Sequence, residues 1–209
     1  MFISIDGGDG CGKSTQVERL ASWLRQQNCD VFTCRDPGST GLGEAVRGIL
    51  LNRHDLDICR MSEMLLFMAA RAQMVQELIF PALKSGKIVV TDRFLLSTVV
   101  YQGYAGKIAV DAIEQVGTIA TAGTLPDLTF VLDVPLEIAK LRMTDREMDR
   151  MERMGTDYHE QVRQGFLSHV KTDPQRFVVL DAAQSADDVT EQIRKTVVQR
   201  LAMPPCETQ

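Results

Sequence analysis

Short, nearly continuous apolar runs recur along the chain and alternate with longer segments of helical periodicity. The runs are rich in β-branched residues and lack the polar–apolar alternation of a strand that is exposed on one face. This pattern is typical of strands that are covered on both faces, as in a parallel sheet. We therefore predict five strands, at Phe2–Asp6, Val31–Cys34, Ile88–Thr91, Thr129–Asp133 and Phe177–Asp181.

The segments between these strands carry apolar residues three and four positions apart. In the first of them the stripe consists of Val17, Leu20, Ala21 and Leu24. Such a stripe predicts an amphipathic helix. The predicted helices are Gln16–Gln27, Met61–Leu83, Val110–Ala122, Leu136–Met148, Tyr158–Val170 and Ala186–Leu201. Pro81 predicts a break or kink near the end of the second one. Strands that alternate with helices indicate a three-layer α/β fold, with helices flanking a five-stranded parallel sheet.

Length and composition indicate one globular unit. The chain has 209 residues, 44% of them hydrophobic and 24% charged, which is enough for a single core. No repeat or linker divides it, so we expect one domain over residues 1–203 and a disordered tail at 204–209. The net charge of −5 argues against a protein that coats nucleic acid. No apolar run is long enough to span a membrane.

The five cysteines include no CxxC pair, which argues against a disulfide framework and against a zinc site. Free thiols are typical of a reducing compartment, so we expect the protein to be cytoplasmic.

A glycine-rich motif follows the first predicted strand. Residues 7–14, GGDGCGKS, match the pattern GxxxxGK[ST] of the P-loop, and a predicted amphipathic helix follows it. Glycines let the backbone aim its N–H groups at phosphate oxygens, and the helix N-terminus adds partial positive charge. Lys13 would reach the β- and γ-phosphates of ATP, and Ser14 would bind Mg²⁺. The predicted ATP-binding residues here are Gly7, Gly8, Asp9, Gly10, Cys11, Gly12, Lys13, Ser14 and Thr15.

The motif predicts that the protein binds a nucleoside triphosphate, but it does not identify the reaction that the protein catalyses. The DxxG and NKxD motifs of GTPases are missing, since the only DxxG, at 9–12, lies inside the P-loop itself. A motor or a large ATPase needs a longer chain. A small P-loop kinase remains, and a kinase must also hold a second substrate.

Two further segments are candidates for that second site. Asp92 and Arg93 follow the third predicted strand, at the end of the sheet where α/β proteins place ligands. Asp92 could hold Mg²⁺ through water and Arg93 could bind an acceptor phosphate; a surface salt bridge is the alternative. Phe67 and Arg71 share one face of a predicted helix, which suits stacking on a base and donating to its carbonyl. The alternative for that pair is a core residue beside a surface residue.

Together these segments resemble the thymidylate kinase family. The matching segments are 7–15, 35–38 (RDPG), 67–71 (FMAAR), 92–98 (DRFLLST), 101–103 (YQG), 126–128 (PDL), 132–134 (LDV), 149–152 (DRME) and 181–182 (DA). The resemblance implies a P-loop NTPase fold, ATP as phosphate donor, Mg²⁺ as cofactor and dTMP as acceptor, in the pathway to dTTP. It also implies a homodimer.

The resemblance further implies roles for residues of the acceptor site. Phe67 would stack on thymine while Arg71 bonds its ring oxygen. Asp9 would contact the 3′-hydroxyl, and Arg93 and Arg47 would hold the phosphate. The full set implied for dTMP is Asp9, Arg35, Pro37, Arg47, Phe67, Arg71, Arg93, Ser97, Thr98, Tyr101 and Gln102.

One position distinguishes two variants of the family. Some members carry a basic residue in the P-loop slot that Gly10 occupies here, and others supply the catalytic arginine from a mobile lid. Gly10 resembles the second, bacterial type, so the charged segment at about 142–155 is expected to be the lid. Arg150 and then Arg146 are the candidate arginines, while Arg142 would stack on adenine. A solvated helix face is the alternative for this segment. The predicted catalytic residues are Lys13, Arg93, Arg150, Arg146 and Asp9, and the predicted metal ligands are Ser14 and Asp92.

Two alternative functions stay open. In the first, the acceptor is another deoxynucleoside monophosphate, such as dUMP, or a nucleoside. The single methyl group that distinguishes dTMP from dUMP cannot be inferred from the sequence alone. The resemblance implies that Tyr101 crowds a 2′-hydroxyl, which would favour a deoxyribonucleotide. The second alternative is a nucleotide-binding regulator without catalysis, which the intact pair of Asp9 and Arg93 argues against.

Overall fold

A five-stranded parallel sheet with the strand order β2-β3-β1-β4-β5 forms the centre of the computed structural model, which describes residues 1–143 and 148–201. The strands are β1 Phe2–Gly7, β2 Val31–Arg35, β3 Ile88–Asp92, β4 Leu128–Asp133 and β5 Phe177–Asp181. All five predicted strands are therefore confirmed, with ends that differ by no more than one residue. The inner strands β1, β3 and β4 are buried almost throughout, as their continuous apolar runs predict.

Helices lie on both faces of this sheet. They are α1 Lys13–Gln26, α2 Gly41–Asn52, α3 Arg60–Met74, α4 Phe80–Lys84, α5 Leu95–Thr98, α6 Val110–Ala120, α7 Leu136–Leu141, α8 Thr156–His169 and α9 Ala186–Leu201. Two π-helical segments, Val75–Ile79 and Val99–Tyr104, and a 3₁₀ turn, Val170–Thr172, extend α3, α5 and α8. None of the helices in the described ranges is long and apolar enough to cross a bilayer.

The predicted helices are confirmed with two corrections. The helix expected over Leu136–Met148 ends at Leu141, because the residues that follow offer no apolar stripe to bury, and Leu141 itself is 71% exposed. The helix expected over Met61–Leu83 is divided by a π-helical segment just before Pro81, which has no N–H to continue the hydrogen-bond ladder. Helices α2 and α5 were not predicted.

The core is divided between the two faces of the sheet. On one face, α1 and α9 pack against β1 and β4 through Leu20, Leu24, Ile5, Phe130 and Ile193. On the other face, α8 and the second π-helical segment pack against β4, with Phe166, Val100 and Val131 in contact. These two layers fix the sheet from both sides, as expected for a three-layer α/β fold.

The strand register brings the ends of three strands together. Asp92 at the end of β3 lies opposite Ile5 of β1 on one side and opposite Arg35 of β2 on the other. The loops that leave β1, β2 and β3 therefore meet at the carboxyl edge of the sheet. In open α/β sheets this is the edge at which ligands bind.

Candidate active site

The loop after β1 has the backbone of a phosphate-binding turn. Gly7 and Gly10 have φ angles of 140° and 75°, which side chains rarely allow. A Cβ atom on Gly7 would also lie 2.6 Å from the Leu132 carbonyl oxygen. The loop leads into the N-terminus of α1 at Lys13, where unpaired backbone N–H groups and the helix dipole favour an anion.

Lys13 is held inside this loop. Its side chain is buried, and Nζ donates a hydrogen bond of 2.7 Å to the Gly8 carbonyl. An ammonium that is already positioned by the loop needs little rearrangement to meet a phosphate oxygen. The backbone at residues 7–14 thus has the phosphate-binding geometry that the sequence motif predicts.

The two predicted metal ligands, Ser14 of the P-loop and Asp92 of β3, are in contact. The Ser14 hydroxyl donates a 2.6 Å hydrogen bond to the Asp92 carboxylate, across the junction of α1 and β3. Within the described ranges no group of three or more acidic, histidine or cysteine side chains is placed to hold a metal. A hydroxyl and a single carboxylate fit Mg²⁺, which usually keeps several waters and shares the phosphates of its nucleotide.

Arg93 lies between the P-loop and the rest of the site. Its backbone is left-handed, with a φ of 67°, and it is fixed by hydrogen bonds to Ile5 O (from Arg93 N, 3.0 Å) and from the Thr91 hydroxyl (to Arg93 O, 2.9 Å). Non-glycine residues adopt this conformation uncommonly, and strained residues of this kind are enriched at functional sites. The guanidinium donates to Gly7 O at 2.8 Å and to Ser97 Oγ at 3.1 Å.

The same guanidinium forms an ion pair with Asp9, and the Tyr101 hydroxyl donates to Asp9 at 3.0 Å. Burial raises the pKa of Asp9, but Arg93, Lys13 and the Tyr101 hydroxyl outweigh it, so that this pKa lies below its ordinary value. Burial also raises the pKa of Tyr101 far above its ordinary range. Tyr101 is therefore a neutral donor at physiological pH, and Asp9 is ionised.

A cavity of about 500 Å³ extends from the P-loop to α3, and we call it the main cavity. Most of the predicted site residues line it. They are Asp9, Gly10, Gly12, Lys13, Ser14, Thr15, Arg35, Pro37, Arg47, Phe67, Arg71, Asp92, Arg93, Ser97, Thr98, Tyr101, Gln102 and Arg142. The structure thus brings together residues that lie up to 133 positions apart in the sequence, from Asp9 to Arg142.

At the far end of the main cavity Arg71 and Phe67 project from α3. Arg71 is almost completely buried; its Nε pairs with the Asp36 carboxylate, and its Nη2 donates to Thr98 Oγ1 at 2.8 Å. Phe67 is half-buried and lies on the same face of the helix. Asp36 was not among the predicted residues, although its position directly after β2 is a signal that could have found it.

The remaining predicted residues lie elsewhere. Gly7, Gly8 and Cys11 belong to the P-loop but do not line the main cavity. Arg150 does not line it either: its Nε donates to Leu50 O at 2.8 Å, and its Nη2 pairs with the buried carboxylate of Glu63. Arg146 lies outside the described residues.

The structure also gives a physical reason for Gly10. A Cβ atom at this position would lie 2.6 Å from the Ala139 carbonyl oxygen, and the φ of 75° disfavours any side chain. The P-loop therefore has no room here for a basic residue without a shift of α7. Lys13 is thus the basic residue that the P-loop itself offers, and any further cation would come from another segment.

Comparison with known proteins agrees with this geometry. The family model described as thymidylate kinase matches residues 5–193. The chain belongs to the thymidylate kinase family. A thymidylate kinase of Thermoanaerobacter sp. (strain X514) is 44% identical over 200 residues, which cover 96% of this chain and 98% of that protein. That of Symbiobacterium thermophilum is 41% identical over 201 residues, 96% of this chain and 94% of the relative.

A solved structure within the same family shows the same fold. The crystal structure of thymidylate kinase from Ehrlichia chaffeensis superposes with a TM-score of 0.77 at 34% identity, and the match covers 94% of this chain and 97% of that one. The resemblance and the P-loop NTPase fold that the sequence predicts are therefore confirmed.

Proposed function

We propose that the protein transfers the γ-phosphoryl group of ATP to dTMP and so forms dTDP, a step towards dTTP. The main cavity supports this most strongly, because it joins Lys13 of the P-loop to Phe67 and Arg71 through Arg93. A kinase of this class needs both substrates in one enclosure with their phosphates facing each other. The thymidylate kinases among its relatives support the same reaction.

Phosphoryl transfer between two nucleotides depends mainly on alignment and on neutralising charge. Lys13 and the N-terminal amides of α1 would hold the β- and γ-phosphates of ATP, and Arg93 with Arg47 would hold the acceptor phosphate. An oxygen of that phosphate attacks the γ-phosphorus, the bond from the γ-phosphorus to the bridging oxygen breaks, and ADP leaves. The acceptor phosphate is already ionised near pH 7, so the attack requires no general base. Arg142, whose Nη1 donates to Ala182 O at 2.9 Å beside the loop after β5, would stack on adenine.

Mg²⁺ would be held by Ser14 directly and by Asp92 through water, and it would supply charge neutralisation at the phosphates. We expect Ser14→Ala to raise the Mg²⁺ concentration needed for half-maximal activity by about tenfold or more, since one of two protein oxygens is lost. Titration of Mg²⁺ at fixed ATP measures this. An unchanged requirement would contradict the assignment.

For the acceptor we propose that thymine stacks on Phe67 and accepts a hydrogen bond from Arg71. The ring of Tyr101 packs against the Arg93 guanidinium at 5.1 Å and is held by Asp9, so it has little freedom to move away from a 2′-hydroxyl. Asp9 would accept a hydrogen bond from the 3′-hydroxyl. These contacts favour a deoxyribonucleotide.

We further propose a mobile lid at about 142–155 that supplies a catalytic arginine, with Arg150 and Arg146 as candidates. The steric restriction at Gly10 supports an arginine from outside the P-loop. Arg150 would have to leave Glu63 to reach the phosphates, so its contribution is tested by mutation below.

We propose that the protein acts as a homodimer in the cytoplasm. Helices α3 and α6 pack side by side and expose large apolar residues, among them Met61, Leu65 and Ile119, a surface that a second copy could cover. The four cysteines in the described part of the chain are free thiols, in keeping with a reducing compartment. Light scattering coupled to gel filtration tests the dimer, and a monomer at micromolar concentration would contradict it.

An assay of ADP release against a panel of deoxy- and ribonucleoside monophosphates tests the proposed reaction. We expect dTMP to be the best acceptor, with dUMP next, because a missing methyl group costs only about 1–3 kcal/mol in a hydrophobic pocket. A purine or ribonucleotide as best acceptor would overturn the proposal. ATP hydrolysis with no phosphorylated acceptor would favour a regulator instead.

A further inference from the structure

Glu63 is a buried carboxylate on α3, next to the main cavity but outside the set of residues assigned to substrates. Its side chain has no exposure to solvent. It accepts hydrogen bonds from Gln102 Nε2 at 2.9 Å, from Arg60 Nη1 at 3.2 Å and from Arg150 Nη2. All three partners are donors, and Gln102 is the one that lines the main cavity.

This contact decides which way the Gln102 side chain faces. A glutamine amide has a donor end and an acceptor end, and its orientation follows from the hydrogen-bond network around it. Because the Glu63 carboxylate flanked by two arginines only accepts, the NH₂ group of Gln102 must face it. The carbonyl oxygen Oε1 is then the atom left for a ligand, and within the described ranges no side chain or backbone group donates to it.

The orientation of Gln102 matters because Arg71, which lines the same cavity, contributes hydrogen-bond donors. Arg71 has only donors, and Asp36 and Thr98 fix its direction through Nε and Nη2. The main cavity is therefore lined both by Arg71, whose side chain can only donate, and by the acceptor oxygen of Gln102. A pyrimidine ring with a carbonyl beside a ring N–H, as in thymine and uracil, complements this pair. Cytosine presents an amine beside an unprotonated ring nitrogen, which is the reverse pattern.

We propose that Glu63 is a positioning residue that determines base specificity, because it holds the Gln102 amide as an acceptor for the ring N–H of thymine or uracil and so disfavours cytosine. This inference rests on the proposed function as a dTMP kinase. If the Gln102 amide rotated by half a turn, its NH₂ group would face the main cavity instead of Glu63. It could then donate a hydrogen bond to the ring nitrogen of cytosine. The bond to Glu63 is what prevents that rotation, since the rotated amide would set its oxygen against a carboxylate.

The test is the ratio of kcat/KM for dTMP to kcat/KM for dCMP with ATP as donor. In Glu63→Gln the new amide can donate as well as accept, so Gln102 is free to rotate. We expect the ratio to fall by about tenfold or more relative to the parent, because a mispaired buried polar group no longer penalises dCMP. The KM for ATP should stay within about twofold, since Glu63 lies at the acceptor end.

Arg60→Gln is the matched control. Arg60 lies outside the substrate site, and its loss removes one partner of Glu63 while the bond to Gln102 stays. The ratio should not change in this variant. A well-folded Glu63→Gln protein with the parental ratio, or one that loses activity equally on both acceptors, would overturn the proposal, because the second result is what a purely structural role gives.

Two further variants keep the test decisive. In Gln102→Met the ratio should fall to a similar extent, and an unchanged ratio there would overturn the proposal even if Glu63→Gln does not fold. In the double variant, Glu63→Gln should add no further loss to Gln102→Met, as expected when one residue acts through the other. A parent enzyme that does not phosphorylate dTMP would instead refute the proposed function, so the two failures can be told apart.

Discussion

Replacing Arg93 by methionine tests the central contact of the proposed site, because the methionine has a similar length but no charge. The change removes four hydrogen bonds of the guanidinium, to Gly7 O, Ser97 Oγ, Asp9 and Tyr101. It also removes the group that would hold the acceptor phosphate. Two lost charge-assisted contacts to phosphate correspond to about 3–4 kcal/mol, so we expect kcat/KM for dTMP to fall about 10²- to 10³-fold.

The same change should alter the pH dependence through Asp9. In the parent, the pKa of Asp9 lies below its ordinary value of 3.8, so the stabilisation it contributes is present above that pH and is lost only as the pH falls through the lower folded-state pKa. Without Arg93, burial opposes ionisation against the weaker effects of Lys13, the Tyr101 hydroxyl and His159, so the pKa of Asp9 should rise relative to the parent. The acid limb of kcat/KM should therefore appear at a higher pH in Arg93→Met, in profiles measured from about pH 5 to 8.

Arg163→Met is a matched control for Arg93→Met. Arg163 pairs with Asp133, and the side chains of that pair are 28% and 21% exposed, against 18% and 16% for Arg93 and Asp9. Both variants thus lose an arginine–aspartate pair of similar burial, but Arg163 does not line the main cavity. We expect its activity to stay within a few-fold of the parent. If Arg93→Met kept activity to within about fivefold, or showed the parental acid limb, the assignment of Arg93 would be refuted.

Three further predictions concern the P-loop and the lid. Lys13→Ala should nearly abolish turnover in a coupled ADP assay, and retained activity would contradict the P-loop role. Arg150→Ala should lower kcat by at least about tenfold while the Kd for dTMP changes much less, and turnover within a few-fold of the parent would remove Arg150 as the catalytic arginine. Gly10→Ala should lower the free energy of unfolding in urea by about 1–3 kcal/mol because of its positive φ and the close Ala139 carbonyl, whereas Gly48→Ala, in open space on α2, should be neutral or stabilising by up to about 1 kcal/mol.

The inner strands could be predicted from the sequence because they are covered on both faces. Burial on both faces favours apolar residues at nearly every position, so these strands appear as nearly continuous apolar runs. The P-loop could be predicted because glycine is strongly favoured where the backbone is left-handed or crowded. Both signals are local, so they need no knowledge of the neighbouring elements.

The parts that could not be predicted depend on contacts between distant segments. Helix α2 begins with Gly41 and Gly43, which have low helix propensity, and it is stabilised by a Thr40 N-cap and by packing on α3. The π-helical segment Val99–Tyr104 has no sequence signature of its own. Glu63 was missed as well, although its spacing of four and eight residues from Phe67 and Arg71 places it on the same face of α3.

An overall acidic chain could bind two polyanions if its carboxylates position the arginines that we propose for the phosphates and the base. Asp36 pairs with Arg71, and Asp9 pairs with Arg93. An arginine that is held through one or two of its N–H groups loses less conformational entropy on binding. Each carboxylate also reduces the repulsion between neighbouring cations of the site. The net charge of −5 is therefore compatible with a strongly phosphate-binding centre, since affinity depends on the local geometry of a few paired arginines and not on the charge of the surface.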